Sequence, residues 1–267
     1  MRKRKRLDPP APATRPAGDV TPQESVGRPI VMHVGGRVVS MVPGTQVTLN
    51  QRPEVDICFV FDTTGSMSNK IDGLIQCMSG FVDELSMLSL DWRTTCVPFG
   101  DIEAVATDRV VAQLPFVAEV GDAKDQLQSM PRFSGGANNG ESSIDAMQAG
   151  ISKPWRSGAV RVIILLTDEP ALQSQKAQYI DAGLTEANVI CFVAATPEQY
   201  YKAWAEAHGG RWVEIGPSMP TESLVDLLSS LVKDVTRVAH EVHAISKGSV
   251  RDYLSLPSEQ RKALGKA

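Results

Sequence analysis

Cysteine is scarce in this chain of 267 residues: Cys58, Cys77, Cys96 and Cys191 are the whole supply. None stands in a Cys-x-x-Cys pair, and Cys58, Cys96 and Cys191 lie within or beside apolar, strand-like runs. That pattern predicts buried free thiols in a reducing compartment, not a zinc site or a disulfide framework. No apolar run approaches the ~20 residues that a bilayer span needs, so no membrane contact is expected. The cluster Arg2-Lys3-Arg4-Lys5-Arg6 is followed by Asp8, Pro9 and Pro10, where a secretory signal would carry an apolar segment. These absences together predict a cytoplasmic protein. There is no Gly-x-x-x-x-Gly-Lys loop for nucleotide phosphates and no Ser-His-Asp order with plausible nucleophile elbows.

Charge is unevenly spread. Residues 1–19 hold six Lys or Arg against two Asp, a net of +4, so the rest of the chain carries −8 of the total −4. A basic leader on an acidic body suits nucleic acid or an acidic partner through residues 2–6. No aromatic side chain is interleaved with those charges to stack on bases, which favours a solvated leader.

Residues 1–28 are rich in Pro, Ala, Arg and Thr without periodicity and are expected to be disordered. Residues 29–50 read as a small β-hairpin extension: Ile30–Val34, a Gly35-Gly36 turn, then Arg37–Val42, with Gln46–Leu49 as a third strand. From residue 54 to 243 the pattern becomes alternating strands and helices. Val55–Phe61 and Val160–Leu166 are nearly unbroken apolar runs, as in central parallel strands covered on both faces. Helices are expected at 68–88, 122–130, 142–151, 176–187 and 197–208, and strands at 93–99, 110–117, 189–194 and 211–213. A long closing helix begins at Thr221, with Leu227, Leu231, Val235, Val238 and Val242 on one face. Residues 244–267 read as a polar tail with a short helix from Pro257. The fold expected is α/β: a doubly wound, mostly parallel sheet flanked by helices, with the N-terminal hairpin added. In such sheets ligands sit beyond the carboxyl ends of the strands, at the switch point.

The first central strand ends in Asp62-Thr63-Thr64-Gly65-Ser66. Residues two apart in a loop project together, so Asp62, Thr64 and Ser66 offer one carboxylate and two hydroxyls. Oxygen donors suit a hard cation, Mg²⁺, Mn²⁺ or Ca²⁺. The N-terminus of the following helix suits an anion, so this loop alone decides nothing. The run Val160–Leu166 places Asp168 at an equivalent edge, and the loop 134–141 adds Asn138, Asn139 and Glu141 before a helix.

Asp62-x-Thr64-x-Ser66, the Gly-rich middle loop and the late Thr167-Asp168 resemble the metal-ion-dependent adhesion site of von Willebrand factor A domains. The likeness covers about 190 residues. Its middle segment is most similar to intracellular members, including those beside alpha-kinases and in bacterial stress or defence systems. The resemblance implies metal ligation by Asp62, Thr64, Ser66 and Asp168, with Asn138 nearest to the family's middle ligand. An amide there removes a charge, so weaker metal binding completed by a partner's Asp or Glu is implied. Gly65, Asn139, Glu141 and Glu169 are then expected to meet the partner, a protein such as an ATPase or kinase. The implied role is binding without catalysis. A metal-dependent hydrolase or phosphoryl-transfer enzyme with Glu141 or Glu169 as base, and a nucleic-acid-associated scaffold, are the alternatives. Elsewhere, His240 and His243 lack a third ligand, and Tyr200, Tyr201, Trp204 and the Trp155-Arg156 pair read as packing.

Overall fold

The computed structural model describes residues 30–34, 37–41, 52–88, 90–102, 114–133, 139–216, 219–246, 249–257 and 259–261. Residues 1–51 and 52–267 form two units. In the first, β1 (Ile30–Val34) and β2 (Arg37–Met41) pair antiparallel from Ile30↔Met41 to Val34↔Arg37. This is the hairpin expected around Gly35-Gly36. The leader at 1–28, the third strand at 46–49, most of the strand expected at 110–117, and Asn138 lie outside the described residues.

The second unit is built on a five-stranded parallel sheet. Its strands are β3 (Glu54–Asp62), β4 (Asp91–Phe99), β5 (Val160–Leu166), β6 (Val189–Ala195) and β7 (Trp212–Glu214), in the order β4-β3-β5-β6-β7. The chain steps outward from β3 to β4, then returns to place β5 on the other side of β3. The switch point therefore falls between β3 and β5.

Side chains alternate between the faces of each strand. Ile57, Phe59, Phe61, Val162, Ile164 and Phe192 face the layer of α1 (Ser68–Met87), α2 (Val120–Gln128) and α6 (Thr221–Ser246). Cys58, Val60, Ile163, Leu165 and Val193 face α3 (Ser143–Ile151), α4 (Ala177–Ala187) and α5 (Gln199–Ala207). Each fully buried aliphatic or aromatic side chain contributes ~1.5–3 kcal/mol, which is why both faces are covered. Gly150 lets α3 sit low on the sheet: a Cβ there would lie 3.1 Å from Val60 Cγ2. Cys58, Cys96 and Cys191 are buried free thiols inside these layers.

At the amino end of the sheet Asp56, fully buried, accepts hydrogen bonds from Arg93 Nε and Nη2 and from the Arg156 backbone and Nε, all at 2.6–3.0 Å. Trp155 donates its indole N–H to Ile151 O at 2.9 Å and tilts against Phe116. The Trp155-Arg156 pair thus fastens the chain before β5.

The carboxyl-terminal segment has the short helix expected from Pro257, with residues 259–261 helical and Arg261 N–H donating to Pro257 O at 3.1 Å, but the stretch before it differs from the expected polar tail. α6 runs on to Ser246, and α7 (Val250–Ser255) precedes Pro257. Ser249 Oγ caps α7 by accepting Asp252 N–H, and Val250 and Tyr253 are buried in the core, with Tyr253 donating to Glu241 Oε2 at 2.8 Å. The anchor is one apolar residue and one tyrosine, too little periodicity to register as a helix. In the described part of the strand expected at 110–117, Val117 forms an isolated antiparallel bridge with Thr94. Among the described residues no helix is long and apolar enough to cross a membrane.

Candidate metal centre

Strand register brings the site together. Phe61 on β3 lies beside Leu166 on β5, so Asp62 and Thr167 are neighbours one residue past that pair. Thr167 Oγ1 donates to Asp62 Oδ2 at 2.7 Å. After Asp62 the chain turns at once, held by Thr63 N–H on Phe99 O at 3.0 Å. A short 3₁₀ turn, Gly65–Met67, leads into α1, and Met67 is fully buried beneath it. The loop is therefore pegged on both sides of its exposed residues, Gly65 and Ser66.

Four oxygens line up across the switch point. Thr64 Oγ1 donates to Asp62 Oδ1 at 2.6 Å, and Thr64 N–H reaches the same oxygen at 3.0 Å. Thr64 Oγ1 and Ser66 Oγ are 3.2 Å apart, and Ser66 Oγ donates to Asp168 Oδ1 at 2.9 Å. Adjacent ligands of an octahedral cation bound at 2.0–2.1 Å are separated by ~3 Å, so this set fits a small hard cation. Among the described residues no three His, Cys, Asp or Glu side chains gather into a metal cluster. The hydroxyls of Thr64 and Ser66 are thus needed to complete the donor set. Asp62, Thr64 and Asp168 are buried, whereas Ser66 opens to solvent and marks the face a ligand would approach.

Burial raises the Asp62 carboxyl to about 6; the hydrogen bonds from Thr64 and Thr167 oppose the rise, and the Asp168 charge adds to it. Metal binding needs the carboxylate, so affinity for Mg²⁺ is expected to rise with pH through about 6. Isotherms that coincide at about pH 5 and about pH 7.5 would contradict that assignment. Glu141 lies beside Thr64 and is pushed up to about 8, first by burial and then by Asp62 and Asp101. Its backbone forms a parallel bridge with Ala171 across the loop that follows β5. Glu169 is half-buried, and its carboxyl is raised by burial and by Asp168, with Lys70 opposing.

Of the residues expected from the sequence, Asp62, Thr64, Ser66 and Asp168 are brought together. Gly65 and Glu169 stand at the mouth, Glu141 lies deeper against Thr64, and Asn139 is exposed. His240 and His243 are exposed on α6. The aromatic trio on α5 braces the loop after β5: Tyr201 OH donates to Glu169 O, and Ala171 N–H donates to Tyr200 OH. Lys70 joins the site without belonging to any of the motifs in the sequence. Its Nζ donates to Asp168 Oδ2 at 2.7 Å, and both side chains are buried. The available signal was a lysine in the first turn of α1, where the helix dipole disfavours a cation.

The fold is a doubly wound α/β sheet with an oxygen-lined loop at its switch point. The chain belongs to the von Willebrand factor type A domain family, whose pattern matches residues 56–208. Among solved structures it is similar to proximal thread matrix protein 1 from the mussel byssus, described with a zinc-occupied adhesion motif. That match has 17% identity and a TM-score of 0.53 over 68% of this chain and 46% of the mussel chain. A second structure of the same protein matches at 16% identity with TM-score 0.53, again over 68% and 46% of the two chains. A further crystal form matches at 16% identity with TM-score 0.51, over 70% of this chain and 46% of the other. The chain thus spans just under half the length of that protein, and at this identity the likeness is one of fold. No curated protein matches the sequence.

Proposed function

We propose that this protein is a metal-dependent protein-interaction module that grips a carboxylate of a protein partner through a divalent cation. Asp62, Thr64, Ser66 and Asp168 would hold the cation, and Ser66 with Gly65 would form the rim that the partner meets. The observation that carries this reading is the run of four oxygens from Asp62 through Thr64 and Ser66 to Asp168. Oxygen donors without thiolate or imidazole favour Mg²⁺ or Mn²⁺. The bound ion supplies positive charge and an open position for an anionic ligand. The protein's residues do the rest: Asp62 orients Thr64 and Thr167, Met67 anchors the loop, and the α5 tyrosines hold the Asp168 loop.

The reading is one of binding, without catalysis. The three buried free thiols fit a reducing, cytoplasmic setting.

Capture of a partner on immobilised protein is expected to require Mg²⁺ or Mn²⁺, to be lost in EDTA, and to return when the metal is restored. Capture that persists in EDTA would count against a metal-bridged contact.

A further inference from the structure

Lys70 stands in the first turn of α1, a 20-residue helix with no acidic residue in that turn. A cation there adds to the positive end of the helix dipole, so the position breaks a local preference. The lysine is 4% exposed, and its one ion-pair partner among the described residues is Asp168. Asp168 uses its two oxygens on opposite tasks: Oδ2 accepts Lys70 Nζ at 2.7 Å, and Oδ1 accepts Ser66 Oγ at 2.9 Å. The same carboxylate thus touches the donor set on one side and a fixed ammonium on the other.

We propose that Lys70 is a specificity-determining residue: its buried positive charge weakens the metal's hold and strengthens the loaded site's hold on an anionic partner group. This rests on the metal-bridged reading above. The physical argument is a charge balance. Asp62 and Asp168 offer two negative charges to the cation, Glu169 adds a third at the mouth, and Lys70 offsets one of them. Without Lys70 the loaded site would be more negative by one charge, and the N-terminus of α1 acts in the same sense as the lysine. The lysine therefore lowers the repulsion that an acidic group of the partner meets, an effect that a neutral group does not feel. Lys70 therefore trades resting metal affinity for selection of an acidic ligand, and metal and ligand are expected to bind cooperatively.

The direction of the effect separates a charge role from a structural one. Lys70→Gln keeps a hydrogen-bond donor for Asp168 and removes the charge; Lys70→Arg keeps the charge. Mg²⁺ binding is measured by calorimetry on the full chain, with and without acetate as the carboxylate probe, and circular dichroism checks the fold. Lys70→Gln is expected to bind Mg²⁺ at least about tenfold more tightly and to show a smaller gain from acetate, whereas Lys70→Arg should resemble the wild type. Should Lys70→Gln fail to fold, Lys70→Met serves as the neutral variant, and Mg²⁺ is expected to raise its melting temperature more than it raises the wild type's. Weaker or unchanged Mg²⁺ binding in a folded neutral variant, with the wild type binding normally, overturns the role of Lys70 and leaves the metal-bridged reading standing. A wild type that binds no Mg²⁺ or Mn²⁺ overturns both.

Discussion

Asp62→Ala is expected to weaken Mg²⁺ binding by at least about a hundredfold and to abolish metal-dependent partner capture, because a charge-assisted ligand of this kind contributes several kcal/mol. The change removes one ligand and also disorganises others. Asp62 Oδ1 accepts both the backbone and the hydroxyl of Thr64, and Oδ2 accepts Thr167. Asp62→Asn makes the more informative companion, since an amide oxygen can keep one side of that arrangement. It should also lose the metal. Its effect on stability is expected to have the opposite sign. The folded carboxyl stands near 6 against an ordinary 3.8, so its stabilising contribution is complete below 3.8 and is lost as pH rises through 6. At pH 8, without metal, Asp62→Asn is therefore expected to be more stable than the wild type by on the order of 2 kcal/mol. Urea unfolding in EDTA measures this, and an asparagine variant less stable than the wild type would show that the charge is well accommodated.

The largest loss of stability is expected far from the metal, at Asp56. This fully buried carboxylate receives four hydrogen bonds from Arg93 and Arg156. Asp56→Ala would leave two guanidinium groups facing a void, and breaking a buried pair costs ~3–5 kcal/mol. Both arginine side chains keep contact with water, at 25% and 21% exposure, which places the expected loss at the lower end, ~3 kcal/mol. The melting temperature should then fall by about 6–12 °C. Because the pair lies at the amino end of the sheet and the metal site at the carboxyl end, Mg²⁺ affinity measured well below that melting temperature should be unchanged. A shift under about 2 °C would mean that the arginines find other acceptors.

The sequence made some of this plain and hid the rest, for physical reasons. β3 and β5 were visible because strands buried on both faces must be apolar throughout. Asp62, Thr64 and Ser66 were visible because alternate loop residues share a side, and Asp168 because it follows the second such strand. Lys70 was hidden because its partner is 98 residues away, and helix periodicity marks only apolar positions. Asp56 is the one charged residue in the apolar run Val55–Phe61. Its meaning lies in register, which sets Arg93 directly across from it on β4. The helix Val250–Ser255 was hidden because six residues anchored by Val250 and Tyr253 carry too little pattern. Ser249, three residues before Asp252, was the local signal of its start.

The central claim is that cation and carboxylate share one site, and thermodynamic linkage tests it directly. Calorimetric titration of the wild type with Mg²⁺, repeated in increasing acetate, should show one metal per chain, an affinity that tightens with acetate, and no such heat in Asp62→Ala. Metal binding that survives Asp62→Ala, or an affinity indifferent to acetate, would contradict the account.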